Sequence, residues 1–154
     1  MSTTRRSVFK RIAWSVTGFF GWTTVWAGGE KKNSVRENQV AEAIETGQDI
    51  PVYSSAVVHG DTIYLAGKIA RIEGDIKAQT TKILDDIEKE LVKNGSSMEK
   101  VLKVSVFLKD MNDYAAMNEA YRGRFGKNPP VRTTVAVAAI PLDSLIEIDC
   151  IAAK

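Results

Sequence analysis

The feature that most constrains the fold is a proline pair followed by two runs of β-branched and apolar residues. Pro129-Pro130 opens the run Val131-Arg132-Thr133-Thr134-Val135-Ala136-Val137-Ala138-Ala139-Ile140. A Pro141-Leu142-Asp143-Ser144 turn follows, and then Leu145-Ile146-Glu147-Ile148-Asp149-Cys150-Ile151. Proline forces extended backbone at the entry, and the composition of both runs predicts two neighbouring strands of one sheet. Alternation puts Val131, Thr133, Val135 and Val137 on one face, with Arg132, Thr134, Ala136 and Ala138 on the other. A guanidinium among small side chains is poised to grip an anion and leaves space for it. Glu147, between Ile146 and Ile148, shares a face with Leu145 and Asp149. An ion pair between the arginine and an acid at the strand edge is the plainer alternative.

Upstream, residues 51–58 are predicted as a first strand, His59-Gly60-Asp61 as a turn and residues 62–66 as a second strand. Gly67 suggests a bulge or a close backbone approach, and residues 68–73 continue as a third strand. From Asp75 the period changes. Ile76, Thr80, Ile83, Leu84, Ile87 and Leu91 recur at helical spacing with charges on the other face, and Asn94-Gly95 supplies the stop. Residues 101–108 form a strand with Lys103 and Ser105 outward. Asn112 or Asp113 caps a second helix built on Tyr114, Met117, Ala120, Tyr121 and Phe125 and closed by Gly126. The order β-β-β-α-β-α-β-β predicts a single-domain α+β sandwich, a mixed sheet with two helices on one face. Pairs such as Val101/Leu102 and Val135/Ala136 make strands apolar on both faces, so a partner subunit is expected to cover the second face.

The first 27 residues are set apart from that domain. Thr4-Arg5-Arg6-Ser7-Val8-Phe9-Lys10 resembles a twin-arginine export signal, and residues 12–27 are uncharged and mostly apolar, ending in Val25-Trp26-Ala27. That run falls short of the roughly 20 residues needed to span a bilayer. Export to the periplasm with cleavage is expected, an uncleaved inner-membrane anchor being the alternative. Polar residues 28–49 read as a linker, in which Val40, Ala43 and Ile44 could form one helical turn, and residues 50–154 as the domain. The whole chain carries +2, with 21 bases and 19 acids. Removing residues 1–27 takes four bases and no acid, leaving 17 against 19, or −2. The basicity belongs to the leader, and the domain has no electrostatic footprint for nucleic acid.

Cys150 is the only cysteine and His59 the only histidine. No intramolecular disulfide, multi-histidine metal site or histidine-based triad can be built from them, and no metal or cofactor is expected. A small buried hydrophobe is the expected role of Cys150.

Several segments together resemble one family. PPVRTTVAVAAIPLDSLIEIDCIA is similar to the C-terminal signature of the Rid (RidA/YjgF) proteins, reactive-intermediate deaminases. Tyr53-Ser54-Ser55-Ala56-Val57 resembles their "YSQAV" segment, and Ile63-Tyr64-Leu65-Ala66-Gly67-Lys68 their "lyxSGQ" segment. Residues 104–121 resemble "vkvtvfLkDmndfaxxNxxY", and the likeness runs over residues 49–153. It implies a YjgF/chorismate-mutase-like homotrimer with a barrel-like centre and clefts between subunits. It also implies hydrolysis of 2-imino and 2-enamino acids to 2-keto acids and ammonia. Arg132 would then clamp the substrate carboxylate, because that anion calls for a permanently charged planar fork. By the same resemblance Glu147 orients the attacking water, and Tyr53, Ala66, Gly67 and Asn118 contact substrate. Tyr53 as a packing aromatic and Asn118 as a backbone cap are the alternatives.

Three departures bear on substrate range. Ala66 stands where the family usually has serine, Lys68 where it has glutamine, and Thr134 where a cysteine is common. Lys68 could add a second cation near the cleft or point to solvent. A noncatalytic small-carboxylate-binding trimer with a protective role is the rival function. A ribonuclease is disfavoured by the −2 charge of the domain and the lack of an aromatic-basic surface.

Export through the arginine pair is directly testable. Replacing Arg5 and Arg6 together by lysine is expected to leave the protein in the cytoplasm on fractionation, because the route reads the guanidinium pair. Unchanged periplasmic protein would overturn the expectation, and an intact N-terminus on exported material would favour the anchor.

Overall fold

The computed structural model describes residues 36–40 and 52–154. Its elements are β1 (Arg36–Val40), β2 (Ser54–His59), β3 (Thr62–Ile69), α1 (Ile76–Lys93), β4 (Val101–Leu108), α2 (Tyr114–Tyr121), β5 (Val131–Ala136) and β6 (Ile146–Ala153). The strands make one six-stranded sheet in the order β1-β2-β3-β6-β4-β5. Only the β4–β5 pair is parallel. The segment expected to be a leader, with Arg5 and Arg6, lies outside the described residues, and among those described no helix is long and apolar enough to cross a membrane.

α1 forms where the spacing predicts it. The Asp75 side chain caps the first turn by accepting from the Ala78 N–H at 2.9 Å, and Gly95, at φ +79°, takes the chain out past Asn94. Ile83, Leu84, Ile87 and Leu91 are fully buried on one face of α1. They meet Val104, Val106 and Leu108 of β4 and Ile146, Ile148 and Cys150 of β6 in one core, joined by Met117 of α2. Each such side chain contributes about 1.5–3 kcal/mol by leaving water. α2 is shorter than its apolar spacing suggests. It ends at Tyr121, and Phe125 is buried from the loop beyond.

The strand count matches the expected β-β-β-α-β-α-β-β order, but one expected strand does not form and an unexpected one takes its place. Residues 68–73 do not form a separate third strand; Lys68 and Ile69 continue β3. Leu65 pairs with Cys150 and Lys68 with Ile148, so three steps on β3 oppose two on β6. That extra residue is a bulge at Ala66-Gly67, and it reverses the alternation that would otherwise mark one continuous strand. The remaining strand is β1, from the segment expected to be linker, and Val40 pairs with Ser54 rather than starting a helical turn. Arg36-Glu37-Asn38-Gln39-Val40 has no apolar alternation, because an edge strand needs little burial to pair.

A second correction concerns β5 and β6, which are not neighbours. β4 lies between them, pairing in parallel with β5 and antiparallel with β6. The turn between the runs does not fold them into a hairpin. Leu142 and Asp143 both take left-handed backbone, at φ +55° and +57°, and Val137 N–H still bonds Leu108 of β4 at 2.9 Å. β5 ends at Ala136, so residues 137–140 leave the sheet. The outer sheet face is apolar in part, as expected. Leu102 is 54% and Val131 70% exposed, with Tyr64 and Val135 also open.

The chain crossing from β5 to β6 is held by one buried amide. Gln79 of α1 accepts from Leu145 N–H at 2.9 Å and from the Ser144 hydroxyl at 3.1 Å, and donates to the Gly74 carbonyl at 3.4 Å. Gln79→Leu keeps the shape but strands those groups, each costing about 1–3 kcal/mol when buried and unpaired. A clear fall in the urea midpoint is expected. An unchanged midpoint would mean that the crossover is held elsewhere.

Candidate active site

Arg132 is placed by register. It lies beside Val104 in the parallel β4–β5 pair, so its side chain leaves the sheet on the helix side. There α2 presents Tyr114, Asn118 and Tyr121 at spacings of four and three residues, one face of a helix. The guanidinium carbon sits 4.6 Å from the Tyr121 ring centroid and 5.7 Å from that of Tyr114, and Nη2 donates to the Tyr114 hydroxyl at 3.3 Å. Ring faces orient the cation without neutralising it. Among the described residues no carboxylate pairs with Arg132. By contrast, Arg124 binds Asp85 at 2.6 Å and Glu88 at 3.6 Å. The strand-edge ion pair is therefore absent among the described residues, and Arg132 lines a cleft with its guanidinium unneutralised.

The surroundings suit a small anion. A cleft of about 400 Å³ opens beside Arg132, lined by Asn118, Tyr121, Arg122, Phe125 and Pro130 among others. Burial pushes the Tyr121 hydroxyl up to about 12, against the opposing pull of Arg132, so it remains a neutral donor. The Asn118 amide, and after it Arg132, holds the Tyr114 hydroxyl below its usual range. Thr134, in the same row of β5 as Arg132, has a buried hydroxyl oxygen with no hydrogen-bond partner. Arg132 thus sits against two tyrosine rings, with small residues only along the strand beyond it.

Glu147 belongs to the other face of the sheet. In β6, Ile146, Ile148 and Cys150 point into the core, while Glu147 and Asp149 point away from it. Glu147 is flanked by Ile69 of β3 and Phe107 of β4. Its carboxylate lies over the β3 bulge. A Cβ on Gly67 would stand 2.8 Å from the carboxyl carbon and closer still to Oε1. Both readings of Gly67, bulge and close approach, hold at once. Burial first, and the Asp149 charge second, raise the Glu147 carboxyl above the ordinary glutamate range.

One chain therefore gathers the expected site residues into two groups. Arg132 and Asn118 share the cleft on the helix side; Glu147, Gly67 and half-buried Ala66 lie on the outer face. Tyr53 is 53% exposed just ahead of β2. Lys68 neither enters the cleft nor faces solvent freely. Its ammonium lies 3.5 Å from Glu90 of α1, which also accepts from Ser55. Burial pushes the Cys150 thiol up to about 12, which leaves it no nucleophile. Tyr114 and Tyr121 escaped notice as site residues because helical spacing marks them equally well as packing aromatics. Arg122 carried no signal at all. Among the described residues no cluster of three potential metal-ligating side chains occurs.

Comparison with known proteins gives a consistent answer. The family model described as Endoribonuclease L-PSP matches residues 44–154. A RutC family protein of Pyrococcus horikoshii is 44% identical over 109 residues, covering 66% of this chain and 86% of that one. The RutC family protein UK114 of Drosophila melanogaster is 39% identical over 107 residues, 65% of this chain and 78% of its own. Among solved structures, a YjgF family member from Neisseria meningitidis superposes with a TM-score of 0.69 at 27% identity, covering 79% of this chain and 97% of that one. A Rid-family protein of Yersinia pestis gives 0.66 at 29% identity, covering 78% and 100%.

The raised Glu147 carboxyl has a measurable sign. An acid whose folded value lies above its unfolded one destabilises the fold when ionised, and the penalty disappears as pH falls through the folded value. Glu147→Gln is therefore expected to raise stability above that pH, with the gain shrinking as pH falls and gone below the unfolded glutamate value. In a carboxyl-detected NMR titration Glu147 is expected to titrate above ordinary glutamate, and lower in Asp149→Asn. Equal titration in both proteins would show that Asp149 does not act on it.

Proposed function

The chain belongs to the Endoribonuclease L-PSP family, which includes the RutC and YjgF proteins, and on that premise we propose that it hydrolyses reactive 2-imino and 2-enamino acids to 2-keto acids and ammonia. The observation that carries the reading is Arg132: a guanidinium held on two aromatic rings, paired with no carboxylate among the described residues, and lining a cleft. Such a fork suits a carboxylate bound by two parallel N–H contacts. The neighbouring carbon of the substrate is the imine carbon. Water adds there, the C–N bond breaks, and the nitrogen leaves as ammonia while the oxygen remains as the keto group. Glu147, whose carboxyl burial raises above the ordinary glutamate range, is a stronger base than a solvated glutamate and is suited to accept the proton of that water. Arg132 and Asn118 bind, Glu147 acts as base, and Gly67 makes room for its carboxylate.

This reading requires more than one subunit. Arg132 and Glu147 leave opposite faces of the same sheet, so the pair forms only where Arg132 of one chain meets Glu147 of another. A homotrimer, the assembly typical of the family, closed over the exposed Leu102, Tyr64 and Val131 face, would supply such a boundary. The leader supports a periplasmic setting, with an inner-membrane anchor as its alternative. In that setting the imines would come from amino-acid-oxidising dehydrogenases. A noncatalytic carboxylate-binding trimer would use Arg132 equally, so turnover of an imine generated in situ separates the two.

The decisive experiment uses two variants together. Arg132→Ala alone is expected to lose nearly all deamination, and Glu147→Gln alone to lose roughly 10²–10⁴-fold in turnover, the usual worth of a positioned base. Co-expressed, they are expected to regain activity, since random assortment around a closed ring leaves about a quarter of boundaries with both residues intact. Failure of the mixture to recover would place both groups in one subunit and overturn the shared site. Absence of turnover by the wild-type protein would favour the binder.

A further inference from the structure

The cleft beside Arg132 is larger than a carboxylate and an imine require. Its volume of about 400 Å³ falls in the range of pockets that enclose drug-sized ligands. Its far side is formed by the loop after α2, where Gly123 and Gly126 take left-handed backbone, at φ +78° and +72°, and turn the chain back toward Pro129-Pro130. Two arginines sit in that loop, and the structure treats them differently. Arg124 is directed to α1 and neutralised by Asp85 and Glu88. Arg122, the residue that closes α2, lines the cleft with Arg132, and no acid is among the lining residues. The nearest acid in sequence, Glu119, is held at 2.5 Å by Lys77, and Arg122 is the weakest influence on it. One cleft therefore holds two arginines with apolar surface from Phe125 and Pro129 beside them.

We propose that Arg122 is a second anion contact of this cleft, and that the preferred substrates are imino acids whose side chain ends in a carboxylate. This rests on the reading of Arg132 as the clamp for the first carboxylate. Two arginines on the wall of one cleft, Arg132 half-buried and Arg122 exposed at its rim, match two anionic groups on one small molecule. A neutral side chain would make no use of the Arg122 charge, whereas a terminal carboxylate would gain a charge-assisted contact from it. A polyanion is disfavoured, because among the described residues of one chain Arg122 and Arg132 are the only cations lining the cleft.

The test is a ratio of affinities, measured by calorimetry with 2-oxoglutarate and with 2-oxopentanoate. These keto acids have equal chain length and differ in the terminal carboxylate. The wild-type protein is expected to bind the diacid tighter by roughly tenfold or more, the scale of one charge-assisted contact. Arg122→Gln is expected to bring the ratio close to one. Lys127→Gln removes the same charge from an exposed loop position that does not line the cleft, and is expected to keep the wild-type ratio. A wild-type ratio near one, an unchanged ratio in Arg122→Gln, an equal collapse in Lys127→Gln, or no binding of either acid would each overturn the proposal. The ratio reads Arg122 whether or not imines are turned over, so failure of the deaminase reading shows separately, as absence of ammonia release.

Discussion

The structure depends on the alternation along β6. Ile146, Ile148, Cys150 and Ala152 enter the core while Glu147, Asp149, Ile151 and Ala153 face away, and β3 and β4 both pair with this strand. A slip of one residue would drive two carboxylates into the apolar layer under α1 and turn all four of those apolar side chains outward. The register is therefore strongly determined, and it determines its neighbours. With both edges of β6 occupied, β5 can join the sheet only beyond β4. That placement sends Arg132 to the helix side and leaves Glu147 on the outer side. The separation of the two groups is a consequence of core packing.

Each group is then shaped by a local device. On the helix side, α2 sets two tyrosine rings under a guanidinium, so the cation is oriented by quadrupoles and dispersion rather than by an acid that would neutralise it. On the outer side, the bulge in β3 removes a side chain where the Glu147 carboxylate must lie, and partial burial keeps that carboxyl easier to protonate than usual. The two devices call for opposite environments, a charge kept available and a charge made less comfortable. Opposite faces of one sheet provide them, and a symmetric assembly would bring them together. α1 supports both sides at a distance. Gln79 secures the entry to β6, and Asp85 with Glu88 secures the loop that carries Arg122.

Much of the architecture follows from sequence period alone. The 3.6-residue spacing from Ile76 to Leu91 and the apolar alternation of residues 145–151 are local properties, and each element formed where they placed it. Arg132, Glu147 and Gly67 stood out as a charge or a glycine inside a strand, which is costly without a use, whereas Asn118 was marked only by the family resemblance. Pairing order was not legible. Whether β5 lies beside β6 or beyond β4 depends on contacts between residues far apart in the chain, and a polar edge strand such as β1 carries no periodic mark. The bulge at Ala66-Gly67 broke the very alternation by which a strand is recognised. Sequence determined which side chains could do chemistry and which faces had to be buried, because both are set by residue type and short-range spacing. Only the tertiary structure decided that Arg132 rests on tyrosines, that Arg122 shares its cleft while Arg124 does not, and that Glu147 looks the other way, because those facts follow from how separate elements compete for one core.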